Sequence, residues 1–253
     1  MNTIYTTKQK ALKINLDEKI IGTLAEIGAG QEVARNFFMA GGSSGTVAKT
    51  ISAYDMSFSN TLYGDIPSKR YVSEDRLKQM LDIEYKDLLK SVKEGRSDDT
   101  RYFAFADTVS AINFQKTNES HGWLGVRFQL SSGQEPNEII LHVKMYEKDN
   151  LLQQRTLGIL GVNLIYAAYY FNNYSDNFLK SLLDNLSRDQ LEIDMIRVSG
   201  PDLNYIDNRL LSLQLVKNKI TNVTVFDHKQ NNKPPSDLFY KKHVMVLDRK
   251  SVV

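Results

Sequence analysis

The chain has 253 residues, 42% hydrophobic and 25% charged, which is a globular composition with enough length for one large domain or two small ones. Its net charge of +2 comes from 32 basic and 30 acidic residues that are interspersed without a basic stripe, so no nucleic-acid partner is indicated. The absence of cysteine removes disulfides, thiolate metal sites and cysteine nucleophiles, and fits a cytoplasmic protein.

The opening 19 residues carry Lys8, Lys10, Asp17 and Glu18 and no apolar run, which excludes a secretory signal there. Val33, Ala34, Phe37 and Phe38 keep helical spacing, and Val47, Ile51, Tyr54, Phe58 and Leu62 predict one face of a second helix. A third, amphipathic helix over 71–92 is opened by Ser73 and presents Leu77, Met80, Leu81, Tyr85, Leu88 and Leu89. The first 95 residues therefore read as a helical segment. After the polar loop 93–100 come three strand-like runs, 101–109, 122–130 and 138–146; the last two are joined into a hairpin by Ser131-Ser132-Gly133 and Pro136. Residues 151–171 return to helix. The longest apolar stretch, 157–171, is shorter than the roughly 20 residues a bilayer span needs, so it predicts a buried helix and no membrane partner. Further along, Ser175 caps a helix carrying Leu179, Leu182, Leu183 and Leu186, 191–198 is a strand, 207–217 a helix, and 223–226 and 243–247 are short strands. The expected fold is α/β or α+β, a mixed sheet flanked by helices, as one domain with residues 101–253 forming the sheet.

The glycine-rich run E-I-G-A-G-Q-E-V-A-R-N-F-F-M-A-G-G-S-S-G-T-V-A-K-T places glycines where helices end and begin. Capping accounts for every residue type: Gly41 and Gly42 suit a left-handed helix end, and Ser43 or Ser44 suits the N-cap of the next helix. The same pattern admits a phosphate or nucleotide site. Gly41, Gly42, Ser43, Ser44, Gly45, Thr46 and Lys49 would surround a small anionic ligand at a helix N-terminus starting near Ser44. The run is no P-loop, since Thr46, Val47 and Ala48 separate Gly45 from Lys49, and Val33 occupies the third glycine position of a dinucleotide fingerprint.

Several phrases carry a family resemblance: A-E-I-G-A-G-Q-E-V-A-R, A-K-T-I-S-A-Y-D-M, F-A-D-T-V-S-A, H-G-W-L-G-V-R-F, L-G-I-L-G-V-N-L-I-Y-A-A, L-L-D-N-L-S-R and D-N-R-L-L-S-L-Q-L-V. Over nearly its whole length the chain resembles a family of uncharacterised bacterial proteins with labels such as nicotinate-nucleotide adenylyltransferase or TonB-dependent receptor. Its members are longer, so the resemblance implies an N-terminal portion. Neither label matches the residues: the adenylyltransferase needs an early H-x-G-H-like pair and the first histidine is His121, while the receptor needs a signal peptide and a long barrel. The resemblance supplies no catalytic residue or cofactor. Separately, His142, Lys144 and Asp149 fit H-x-K-x-x-x-x-D, which resembles the phospholipase D signature of a phosphodiesterase whose histidine attacks phosphorus. That superfamily uses two such motifs, so a single copy implies a homodimer. Alternation in I-I-L-H-V-K-M-Y puts His142 and Lys144 on one strand face, and the polar face of a half-buried strand explains both equally.

His121, His228 and His243 lack the short spacing of metal ligands and read as surface residues, so no metal site is expected. Glu26, Asp107, Asp194 and Arg197 are the charged residues that interrupt apolar surroundings or sit near strand ends, where structural ion pairs compete with site chemistry. Two function classes stay open: an enzyme or binding domain for a phosphorylated metabolite, and a non-catalytic domain that self-associates through the aromatic run 166–174.

Overall fold

A computed structural model of the chain describes residues 4–92, 96–171, 176–240 and 242–246. Its helices are α1 (Thr7–Asn15), α2 (Glu32–Ala40), α3 (Met56–Tyr63), α4 (Glu74–Val92), α5 (Asn150–Tyr170), α6 (Asp176–Leu182) and α7 (Asn208–Lys217). Its strands are β1 (Ile20–Ile27), β2 (Val47–Ile51), β3 (Arg101–Ser110), β4 (Ser120–Phe128), β5 (Asn137–Met145), β6 (Leu191–Ser199), β7 (Val225–Phe226) and β8 (Asn232–Lys233). The first six form one mixed sheet in the order β2-β1-β3-β4-β5-β6, parallel from β2 to β3 and antiparallel from β3 to β6. This is the expected α/β architecture. β7 and β8 pair as a small separate ribbon. Among the described residues, no helix is long and apolar enough to cross a membrane.

Helices cover the sheet unequally, and that places the site. The larger core takes α1, α2, α5, α6 and α7 against one face, with Leu24, Phe103, Phe105, Leu124, Leu141, Ile193 and Ile196 pointing into it. On the other face α4 lies across β1, β3 and β4, burying Leu77, Met80 and Leu81 against Ala104, Ala106 and Ile140. Beyond α4 that face carries polar side chains of β4, β5 and β6.

Local chemistry explains the boundaries. Thr6 and Gln9 close a capping box on α1, Asp55 accepts from the Phe58 N–H at 2.8 Å to start α3, and Asp149 accepts from the Leu152 N–H at 3.0 Å to start α5. Ser73 accepts the Arg76 N–H at 3.2 Å at the head of α4, as expected. Three expectations are corrected. The first 95 residues are not purely helical, because β1 and β2 lie there and supply two of the three strands of the sheet's parallel part. The predicted helix through Val47 and Leu62 is β2 followed by α3, divided at the Asp55 cap. Residues 243–246 carry no strand; Leu247, Ser175 and residues 93–95 lie outside the described residues.

The close crossing of α2 and α5 depends on glycine. A Cβ on Gly161 would stand 2.3 Å from Cγ2 of Val33 and 3.0 Å from the Phe105 ring, all of them buried. Alanine gains about 1 kcal/mol of helix propensity over glycine, but overpacking against a stiff valine costs about 1–3 kcal/mol. Gly161→Ala is therefore expected to lower stability in chemical denaturation; a stabilised variant would show that the two helices separate freely.

Candidate functional site

The uncovered end of the sheet forms the floor of a cleft of about 1090 Å³. One wall is the segment 68–75 leading into α4, the other the segment 222–239 that includes the β7–β8 ribbon. Arg197 on β6 ties these walls together, bonding Glu74 at the start of α4 and donating from Nε to Asn232 Oδ1 at 3.1 Å and from Nη2 to Asn232 O at 2.8 Å. Arg197 thus has a structural role at the rim.

Across the floor the strands present one connected row. Register pairs His121 with Lys144 and Trp123 with His142 between β4 and β5, and Ser110 with His121 between β3 and β4. Between β5 and β6 the register slips at His142/Val143. This bulge turns both Asp194 and Met195 toward the cleft side, whereas strict alternation would send one of them into the larger core. As a result Asp194 Oδ1 lies 2.6 Å from His142 Nδ1, and His142 Nε2 lies 3.2 Å from His121 Nδ1. Asp194 and His142 are 4% and 3% exposed, while His121 is partly open to the cleft. Trp123 packs its ring edge-on to His142 with centroids 4.8 Å apart, which holds the imidazole plane.

Hydrogen-bond roles follow from the ends of this chain. An ionised carboxylate only accepts, so His142 donates from Nδ1. With His142 singly protonated, its Nε2 accepts from His121 Nδ1–H, and His121 is left with an unprotonated Nε2. Burial pushes the His121 pKa below the ordinary histidine value, although Asp194 and Glu119 oppose this. His121 is thus a neutral, oriented base at the edge of a cleft, its tautomer imposed by two buried residues behind it. Among the described residues, no group of three or more histidines and carboxylates could hold a metal ion.

Sequence reasoning reached parts of this row. Strand alternation places His142 and Lys144 on one face and Asp194 interrupts an apolar run, whereas the spacing of His121 reads as that of a surface residue. The structure corrects that reading, whereas His228 and His243 are exposed. The phospholipase D-like trio is not assembled: both ring nitrogens of His142 are engaged, and Asp149 is spent capping α5.

The glycine loop is elsewhere and differently built. Ser43–Gly45 is a single 3-10 turn followed by β2, so the helix N-terminus expected near Ser44 does not exist. Gly41 ends α2 with φ 87° and Gly42 is left-handed at φ 73°, which is the capping role. Thr46 is buried and donates to Asn15 O at 3.3 Å, Gly45 O accepts from Arg96 at 3.1 Å, and Lys49 is paired with Glu84 at 2.6 Å. The first part of the aromatic run is likewise largely internal, with Tyr170 and Phe171 half-buried. Tyr166 and Tyr169 are 3% and 7% exposed on α5, and residues 172–174 lie outside the described residues.

Glu26 and Asp107 face each other across the β1–β3 pair, both 2% exposed. Glu26 accepts the Val33 and Ala34 N–H groups at 2.9 Å each, anchoring the start of α2, and Asp107 accepts the Ile27 N–H at 3.0 Å. Burial pushes Glu26 up to about 7 against those two hydrogen bonds; burial and then the charge of Glu26 push Asp107 up as well. These carboxyls are structural anchors remote from the cleft floor.

No protein-family model matches the chain, and no curated protein matches it. Among solved structures it is similar to the competence/damage inducible protein CihA from Agrobacterium tumefaciens, at 19% identity and TM-score 0.45, over 66% of this chain and 98% of that one. It is similar also to a competence or damage-inducible protein from Enterobacter asburiae, at 13% identity and TM-score 0.45, over 66% and 99% of the two chains. Likeness of this degree carries nothing about ligand or activity to this chain.

Proposed function

We propose that this chain is an enzyme domain that carries out general acid–base chemistry on a small polar molecule bound in the cleft over β4, β5 and β6, with His121 as the catalytic base. The observation that supports it is the Asp194–His142–His121 chain. A buried carboxylate and a buried imidazole both have a cost unless hydrogen-bonded, and here they satisfy one another while fixing the proton position on His121, the more open of the two histidines in the cleft. A base held neutral below the ordinary histidine pKa accepts a proton at physiological pH without first having to lose one. His142 and Asp194 act as positioning residues, since both ring nitrogens of His142 are engaged and Asp194 Oδ1 is held by His142.

The test is consumption of pooled small polar metabolites by the purified protein, followed by mass spectrometry. His121→Gln keeps a polar side chain of similar length and is expected to lower the rate about 10²- to 10⁴-fold, the usual contribution of a positioned base. Undiminished consumption by the variant, or none by the native protein across the pool, would overturn the reading.

A further inference from the structure

We infer that Lys144 is the anchor for an anionic oxygen group, a phosphate or carboxylate, on the molecule that meets His121; this deepens the acid–base reading and rests on it. Lys144 stands on β5 two residues after His142, on the same face, and is register partner to His121 on β4 and to Glu192 on β6. A lysine between a histidine and a glutamate on adjacent strands has an obvious partner in the glutamate, yet the pair is not made. Glu192 is instead drawn toward the cleft wall: it accepts from Tyr146 Oη, from Thr221 Oγ1 and from the Asn222 N–H, the last at 3.3 Å. Among the described residues no carboxylate lies within ion-pair distance of Lys144.

Lys144 is nevertheless half-buried in the cleft floor. A cation partly withdrawn from water with no direct ion-pair partner gains when an anion enters and contacts it. Of the acidic residues that line the cleft, Asp194 is engaged by His142 and Glu74 by Arg197 and Lys78, while Glu119, Glu192 and Asp237 share it with Lys144 and Lys233 without an ion pair to Lys144. A compact ammonium with three donors suits an oxyanion as a point charge. Its position opposite His121 places the bound anion beside the atom whose proton the base removes, so the substrate is a small acid with its reactive centre close to its charged group.

Titration of the native protein with inorganic phosphate, and separately with acetate, at constant ionic strength tests this, with the His121 ring resonances as the readout. The expected result is a saturable shift of those resonances and an upward move of the His121 titration, since an adjacent anion favours imidazolium. Lys144→Met, which keeps the aliphatic stem, should weaken the response at least 10-fold, and Lys144→Arg should retain it. Phosphate acting alone assigns a phosphorylated substrate, acetate alone a carboxylate. No saturable response in the native protein, or an equal one in Lys144→Met, would overturn the inference; the base reading would then stand or fall on the His121→Gln experiment, which does not involve the anion.

Discussion

Asp194→Asn is expected to lower turnover at the cleft about 10²- to 10⁴-fold while leaving the fold in place. The carboxamide fills the same space, but its NH₂ group can face His142 Nδ1, which then becomes an acceptor. The proton of His142 moves to Nε2 and is donated toward His121 Nδ1, so His121 turns its remaining N–H to the cleft and no longer has a lone pair there. Nitrogen chemical shifts of the two imidazoles should show both tautomers exchanged. Asp194→Ala, by contrast, leaves a buried donor without a partner and should also cost about 1–3 kcal/mol of stability. The pH profile carries a second signature. Because burial depresses the His121 pKa, the acid limb of the rate profile should fall below the ordinary histidine value of 6.5, with full activity at neutral pH. An Asp194→Asn protein with native turnover and unchanged tautomers would show that the hydrogen-bonded row does not set the base.

The parts of this arrangement that the sequence displays are those set by local chemistry. The hairpin of β4 and β5 is legible because Ser131-Ser132-Gly133 and Pro136 interrupt two alternating runs, and that turn alone fixes the register that sets His121 opposite Lys144. The capping role of Gly41 and Gly42 is equally local. β1 is hidden because I-I-G-T-L-A-E-I is buried on both faces and has no alternation to read. β2 and α3 are misread as one helix because Val47, Ile51, Tyr54, Phe58 and Leu62 happen to keep helical spacing across an N-cap at Asp55. The contact between Asp194 and His142 spans 52 residues and depends on a bulge. Its trace in the sequence is a change of phase in L-E-I-D-M-I-R-V, where core-facing apolar residues run 191 and 193, then 196 and 198. Only strand pairing converts that irregularity into an aimed carboxylate.

Stability is expected to fall as pH rises from about 4.5 to about 7, the reverse of ordinary acid denaturation, and Asp107→Asn should flatten that fall. The cause is the carboxyl pair of Glu26 and Asp107, buried side by side on β1 and β3. Burial raises Glu26 from 4.5 to about 7, and burial together with the charge of Glu26 raises Asp107. In the unfolded chain both groups ionise near their ordinary values. Between the two sets of values the folded protein therefore holds more protons than the unfolded one, and stability declines with pH throughout that window. For Glu26 the interval corresponds to on the order of 3 kcal/mol, since one pKa unit is about 1.4 kcal/mol. Well below 3.8 both carboxyls are protonated in both states and the effect is fully relaxed. Asparagine at position 107 can still accept the Ile27 N–H through its carbonyl oxygen, so the variant removes the Asp107 titration, burial and like charge together, while keeping the hydrogen bond. Chemical denaturation at a series of pH values should place the two proteins close together near pH 3 and the variant ahead near pH 8. The prediction fails if native stability is level across the window, or if the variant follows the same slope, because Glu26 would then ionise freely beside Asp107, its charge carried by the Val33 and Ala34 amides at the head of α2.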